Sequence, residues 1–296
     1  MNDKYDIDAL LKAQPSNSVA EQLVAWADAT RNQIARGDMM LGILSIDEVA
    51  KIPMAYQAAA QLGHSNAWVT LAWWYAYPDF GEQDLESAET AIQRAIDADV
   101  EMAKLEIAKI RWFFKRNTAT EAERQQSYQF VSDIVTLDPD NARAIYILAL
   151  LTTHGFGVAA SPKSGFLLQQ RSADLGNADA MFEIFAHYSN GLGVPVDEDL
   201  AFNACQRAAD AGHVRAMYNL GAFNAIGRGT SKNTLEAVKW YERAAAAGNP
   251  SAMVGLAIIY ATGDGVDVDR EYAREMFDQA DYCGLDVSQL RDQVGL

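Results

Sequence analysis

The feature that most constrains the fold of this chain is a repeat with a period of 36 residues. Single glycines, paired glycines and alanines all recur at this spacing: Gly176, Gly212, Gly248 and Gly284; Gly155/Gly157, Gly191/Gly193, Gly227/Gly229 and Gly263/Gly265; Ala144, Ala180, Ala216 and Ala252. A fixed period of roughly 20–50 residues is typical of architectures in which each unit packs on its neighbours. The register therefore predicts four consecutive units of one design.

The register continues less regularly toward the N-terminus. Ala67 and Ala103 are again 36 residues apart, Gly63 occupies the glycine position between units, and the step from Ala103 to Ala144 is stretched to 41. We therefore predict one continuous solenoid in three parts: degenerate helical repeats with an N-terminal cap over residues 1–139, four regular repeats over 140–284, and a C-terminal cap over 285–296.

Each unit is predicted to contain two helices, because apolar residues recur at helical spacing on both sides of the paired glycines. Glycine readily adopts the positive φ angles that end a helix, so the paired glycines separate the two helices. Polar residues in one register are predicted to cap the second helix of each unit, and they are Asp84, Ser161, Asp197, Asn233 and Asp269.

Small residues at one position of the first helices predict close approach of the two helices in a unit, and they are Ala72, Ala108, Ala149, Gly221 and Ala257. Phe185 occupies the same position in the unit over 176–211. Its bulk predicts a local distortion of that unit.

These residues resemble the Sel1-like repeat, a relative of the tetratricopeptide repeat. The pattern AxxxLGxxYxxGxGVxxDxxxAxxWYxxAAxxG is carried by AMYNLGAFNAIGRGTSKNTLEAVKWYERAAAAG, residues 216–248, and by AMFEIFAHYSNGLGVPVDEDLAFNACQRAADAG, residues 180–212. The resemblance implies an all-α fold, a right-handed superhelical solenoid of antiparallel helix pairs. It also implies a surface that binds a protein or peptide partner and no fixed chemistry.

Charge restricts the partners. Lys and Arg total 24 against 40 Asp and Glu, which gives a net charge of −16. Such a chain repels phosphate backbones and anionic membranes and attracts basic proteins. We therefore predict a basic protein or peptide partner, and neither nucleic acid nor membrane. The first twenty residues lack the basic start and apolar core of a signal peptide, which predicts a cytoplasmic location. We expect the protein to be bacterial.

No pattern of catalytic, cofactor-binding or metal-binding residues is present. The four histidines form no HExxH, and the paired glycines lack the third glycine of GxGxxG. Cys205 and Cys283 lie two units apart, which predicts free thiols because their Cα atoms would be farther apart than the ~7 Å that a disulfide tolerates. Cysteine-rich relatives of the repeat family have been associated with β-lactam hydrolysis, so a hydrolase is kept as a minor alternative.

The predicted binding surface lies on the first helices of the units, which line the concave side of such solenoids. An aromatic ladder two residues after the register alanines and the aromatic-rich segments 73–80 and 109–116 point there. The candidate partner-binding residues are Trp73, Tyr77, Lys109, Trp112, Phe113, Arg143, Tyr146, Leu150, His154, Phe182, Arg215 and Tyr218. The aromatic residues could instead pack one layer on the next.

Two roles fit a surface of this kind. The first is a non-catalytic adaptor in signalling or assembly, and the second is an immunity protein that neutralises a cognate bacterial toxin or effector. The sequence leaves both open.

Overall fold

The computed structural model describes residues 6–35, 45–77 and 82–296. The first five residues of the N-terminal segment and the end of the aromatic-rich segment 73–80 lie outside these ranges. All regular elements within the described ranges are helices, which confirms the predicted all-α class. They are α1 (Ile7–Leu11), α2 (Asn17–Ala35), α3 (Ile46–Ala50), α4 (Ile52–Gln61), α5 (Ala67–Ala76), α6 (Leu85–Asp97), α7 (Ala103–Phe114), α8 (Glu121–Leu137), α9 (Ala142–His154), α10 (Pro162–Asp174), α11 (Ala178–Asn190), α12 (Glu198–Asp210), α13 (Val214–Ile226), α14 (Thr234–Ala246), α15 (Pro250–Thr262), α16 (Arg270–Tyr282) and α17 (Ser288–Val294).

The chain divides into two compact units. The first contains the residues up to Ile134 together with Phe156–Val158, and the second contains Val135–Gly155 and Ala159–Leu296. Each has a core of its own in which helices pack in consecutive pairs.

In the first unit, the helix pairs are α2 with α4 and α5 with α6, and α7 packs on both α5 and α6. The largest fully buried side chains here include Tyr56, Leu71, Ile92 and Ile107. The stretched step of the repeat is accommodated mainly in α8, which has 17 residues where α10 has 13.

A polar network joins α8 to α6 and α7. The Arg111 guanidinium donates to Glu89 at 2.9 Å and to Gln126 at 2.8 Å. The Lys115 ammonium lies 2.7 Å from Glu89 and 3.1 Å from Glu123. Because Arg111 is 6% exposed, these partners satisfy a charge that would be costly to bury alone.

The second unit follows the 36-residue register helix by helix. The first helices begin at Ala142, Ala178, Val214 and Pro250, and each of these helices and of the following second helices has 13 residues. Each first helix ends at the first glycine of a pair in the left-handed conformation, with φ between 68° and 73°. Each second helix begins at its predicted cap, and the side chain of that residue accepts a backbone amide.

The second glycine of a pair is needed for close packing at Gly193 and Gly265. A Cβ on Gly193 would lie 2.6 Å from the carbonyl carbon of Pro162, and one on Gly265 would lie 2.8 Å from the Cβ of Thr234. Both neighbours stand at the start of the second helix of the preceding repeat. These glycines therefore let the inter-helix loop of one repeat contact the helix of the repeat before it.

The predicted distortion at Phe185 is wrong as far as the helix bounds show, since α11 and α12 keep the register of their neighbours. The side chain on the second helix explains the tolerance. In the next repeat a Cβ on Gly221 would lie 2.5 Å from the ring of Tyr241. The register positions of these two residues hold Phe185 and the much smaller Cys205 in this repeat.

Both cysteines are free thiols, as predicted. Cys205 is buried, and burial raises the pKa of its thiol to about 12, whereas Cys283 is exposed. Among the helices of the described ranges, none combines the length and apolar composition needed to cross a bilayer.

Candidate functional site

The structure separates the predicted site residues into buried and accessible ones. Trp112 and Leu150 are each 5% exposed and Phe182 is 7% exposed. Trp112 packs edge-on against Phe156 at 5.7 Å, with the Arg116 guanidinium 5.0 Å from its ring centroid. A partner that binds to the surface without disturbing the core can therefore make little contact with these three side chains.

Three of the predicted residues come together on α5 and α7 of the first unit. The Trp73 indole N–H donates to the carboxylate of Glu106 at 2.7 Å, and Lys109 lies 2.8 Å from the same carboxylate. The Lys109 ammonium also lies 4.8 Å from the centroid of the Trp73 ring. Phe114 packs 6.1 Å from both Trp73 and Tyr77.

We call this set, Trp73, Tyr77, Glu106, Lys109 and Phe114, the N-terminal face. Its accessible aromatic is Tyr77, which is 68% exposed. Phe113, next to Phe114 at the end of α7, is 49% exposed. Since Trp73 and Lys109 satisfy the buried Glu106 carboxylate, most of this face is structural, and its contribution to binding would be apolar contact.

A second set lies on three consecutive first helices of the second unit. Tyr146 belongs to α9, Asp179, Phe182 and Glu183 to α11, and Arg215 to α13, which His213 caps. His213 stacks on Phe182 with ring centroids 4.3 Å apart, and the Arg215 guanidinium lies 5.1 Å from the same ring. We call these six residues the C-terminal face.

The hydrogen bond by which His213 caps α13 shows which ring nitrogen carries the proton. Its Nδ1 accepts the amide of Ala216 at 3.2 Å, so the imidazole proton is on Nε2, which lies 3.6 Å from a carboxylate oxygen of Asp179. Burial lowers the pKa of His213, and Arg215 acts in the same direction against the opposing effect of Asp179. The ring is therefore neutral at pH 7, and its 3.6 Å contact with Asp179 is neither an ion pair nor a direct hydrogen bond.

Glu183 is the least compensated charge of the C-terminal face. Burial raises the pKa of its carboxyl, Arg215 lowers it, and Asp179 raises it again. No donor among the described residues hydrogen-bonds to it. Burial and the carboxylates of Glu183 and Asp179 also raise the pKa of Tyr146, so its hydroxyl remains a protonated donor.

The remaining predicted residues do not join this set. Arg143 and His154 lie exposed at opposite ends of α9. Tyr218 packs with its ring centroid 5.9 Å from that of Tyr241, on the second helix α14 of the same repeat, so this contact lies within one repeat and not between two.

Sequence reasoning missed Glu106 and Phe114 of the N-terminal face and Asp179, Glu183 and His213 of the C-terminal face. The predicted site residues were chosen mainly because they are aromatic. Glu183 could have been found by comparing the residues at one position of the four regular repeats, since it is charged where the others are not. Its equivalents are Ile147, Asn219 and Gly255, so Glu183 is the one carboxylate at this first-helix position of the regular repeats.

Four consecutive segments of the chain match the Sel1 repeat family, and they are residues 142–177, 178–213, 214–249 and 250–280. These segments coincide with the pairs α9–α10, α11–α12, α13–α14 and α15–α16. Residues 142–280 are therefore four Sel1 repeats, and the fold of this segment is that of a Sel1-repeat α solenoid.

Solved structures of Sel1 repeat proteins show the same architecture. A Sel1 repeat protein from Oxalobacter formigenes is 21% identical, with 77% of this chain and 92% of that chain covered and a TM-score of 0.54. The protective antigen c5321 of uropathogenic Escherichia coli, which has an SLR fold, is 22% identical, with 81% of this chain covered and a TM-score of 0.56. The matched region spans 50% of c5321. No functionally curated protein matches this sequence.

Proposed function

We propose that this protein is a cytoplasmic, non-catalytic scaffold that binds a basic protein or peptide on its first helices. The observation that carries the proposal is Glu183, a half-buried carboxylate without a hydrogen-bond donor on the C-terminal face. Sel1 repeats are a protein-interaction architecture, and the net charge of −16 favours a cationic partner.

A half-buried carboxylate in this position costs stability, because burial removes water from a charge that no donor replaces. An arginine or lysine side chain of a partner would supply the missing donors. Tyr146 lies beside it with a protonated hydroxyl and an aromatic ring, and cations bind favourably on aromatic faces. The Arg215–Phe182 contact is an example of such a pairing on the same face.

The N-terminal face would contribute apolar contact. Tyr77 and Phe113 are exposed, and Tyr77 packs on Phe114 beside Trp73, whose indole is already held by Glu106. Partly exposed aromatics of this kind are common anchors of protein interfaces.

The experiment that tests this function is affinity capture from the native host with mass spectrometry, using three forms of the protein. Wild type should retain a basic protein, and Glu183→Gln should retain much less of it. Glu275→Gln removes the same charge from an exposed position of the second helix α16 and should behave as wild type. An acidic partner, or equal retention by all three forms, would contradict the proposal.

The same experiment separates the two roles. If the captured partner is toxic when it is expressed without this protein, the role is that of an antidote. If it is harmless and joins a larger complex, the role is that of an adaptor.

A further inference from the structure

Phe185 is exceptional among the first helices of the regular repeats. Its equivalents are Ala149, Gly221 and Ala257, which leave room for the second helix. The Phe185 ring lies half-buried, 5.4 Å from Phe182 and 5.9 Å from Phe223. The other regular repeats have alanine or glycine at this position, whereas this repeat presents a partly accessible aromatic ring.

Phe185 is one wall of a pocket between α11, α12 and α13. Phe202 and Phe223 form the other aromatic walls, with ring centroids 6.2 Å apart, and Ser189, Ala201 and Gly229 are also part of the lining. The pocket is shallow and open to solvent, and the space enclosed by its walls is only about 20 Å³. It has room for the tip of one side chain of a partner and not for a large ligand.

An ion pair borders the pocket. Arg228 lies 3.7 Å from Glu198, and its guanidinium is 5.9 Å from the centroid of the Phe223 ring. Both charged side chains are more than half exposed, so the pair is weak and can rearrange when a group enters.

Exposed aliphatic side chains occur at the same end of these repeats, where the first helix passes into the second. Val196 is 61% exposed, Leu200 is 44% exposed, and Ile226 at the end of α13 is 70% exposed. Three half-buried phenylalanines next to exposed aliphatic residues form an apolar surface that another apolar group would stabilise by covering it.

The charge around the pocket indicates what covers it. Asp197, Glu198 and Asp199 follow one another at the start of α12, and Arg228 pairs with only one of them. A second copy of this chain, with its own net charge of −16, would be repelled from such a rim. A segment with lysine or arginine beside an apolar residue would be attracted.

We propose that the pocket formed by Phe185, Phe202 and Phe223 is an anchor site for an aliphatic side chain in a basic peptide segment. It lies at the loop end of the repeats, so it is a binding surface additional to the C-terminal face. Its occupancy does not depend on Glu183.

The proposal is tested with two probe peptides, acetyl-Lys-Lys-Leu-Lys-Lys-amide and the same peptide with serine in place of leucine. The full chain, labelled with ¹³C at its phenylalanine rings, is titrated with each peptide at low salt and followed by NMR. We expect the leucine peptide to bind about fivefold more tightly or better, because the only difference is burial of one aliphatic side chain. It should shift the signals of Phe185, Phe202 and Phe223 and, more weakly, that of Phe182, which contacts Phe185, and leave the other phenylalanines unchanged.

Two variants complete the test. Ser189→Leu fills the pocket from α11 and should abolish the preference for leucine, whereas Asn203→Leu adds the same group at an exposed position of α12 and should keep it. If Ser189→Leu does not fold, the chemical-shift changes of the wild-type phenylalanine rings show whether the leucine peptide occupies the pocket. Equal binding of both peptides, or shifts confined to phenylalanines outside the pocket, would overturn the proposal. So would self-association of the wild type that Ser189→Leu abolishes, because a second copy would then be the occupant.

Discussion

Gln169 shows how a single residue departs from an otherwise regular repeat. It is fully buried in α10, and neither its amide nitrogen nor its amide oxygen has a hydrogen-bond partner among the described residues. The equivalent positions of other second helices hold Ile92, Cys205, Tyr241 and Phe277. A polar amide therefore occupies a position that is otherwise part of the hydrophobic core.

Replacing this amide by an apolar group should stabilise the protein. An unsatisfied buried polar group costs about 1–3 kcal/mol, so Gln169→Leu should raise the free energy of unfolding by about 1 kcal/mol or more in urea denaturation. Gln279→Leu, at an exposed position of α16, should change it by less than about 0.5 kcal/mol. A loss of stability in Gln169→Leu would mean that the amide is hydrogen-bonded in solution.

Glu123 is a second residue whose environment has a measurable consequence. Its carboxylate accepts the amide of Thr120 at 2.6 Å and the Thr120 hydroxyl at 2.8 Å, and it lies 3.1 Å from Lys115. Partial burial raises the pKa of Glu123, but these three contacts outweigh burial and lower the pKa to about 2. The charged form is thus held more strongly in the folded state than in the unfolded one.

The sign of the pH dependence follows. Stability from Glu123 is present above its ordinary pKa of 4.5 and is lost as the pH falls from 4.5 toward 2. Glu123→Gln keeps the side-chain shape but lacks the titrating proton. We expect the difference in unfolding free energy between wild type and Glu123→Gln to shrink steadily over this range. A difference that stays constant would contradict the assignment.

At the scale of helices, the sequence determined most of the second unit. The helix ends at Gly155, Gly191, Gly227 and Gly263 and the caps at Ser161, Asp197, Asn233 and Asp269 follow from local backbone chemistry, which a 36-residue register makes visible. Site residues were harder to predict, because burial depends on contacts between helices. Trp112 and Tyr77 both read as surface aromatics, but only Tyr77 is exposed.

The caps provide a prediction for single helices. Asp197 accepts the amide of Leu200 at 2.9 Å, so Asp197→Ala should lower the free energy of unfolding by about 1 kcal/mol. Asp199→Ala removes an exposed carboxylate from the same first turn and should cost only a few tenths of a kcal/mol through the helix dipole. Equal losses in chemical denaturation would show that charge, and not the cap, is what matters here.

At the scale of the whole molecule, the two compact units meet in sequence within α8. The first part of α8 is joined to α6 and α7 by Arg111 and Lys115, whereas the residues after Ile134 belong to the second unit. We predict that native-state hydrogen exchange gives different opening free energies on the two sides of Ile134. One common value throughout α8 would show that the units open together.

We propose that the C-terminal face binds a basic partner through Glu183. The most direct measurement is the Kd of the captured partner for wild type, Glu183→Gln and Glu275→Gln by isothermal titration calorimetry, with the melting temperature of each form. Because burial raises the pKa of Glu183, its charge opposes folding at neutral pH, and Glu183→Gln should melt at an equal or higher temperature. We predict that it binds at least about tenfold more weakly, as expected for a lost charged contact at an interface centre, while Glu275→Gln stays within about twofold of wild type. An unchanged Kd in a stable Glu183→Gln protein would contradict the account.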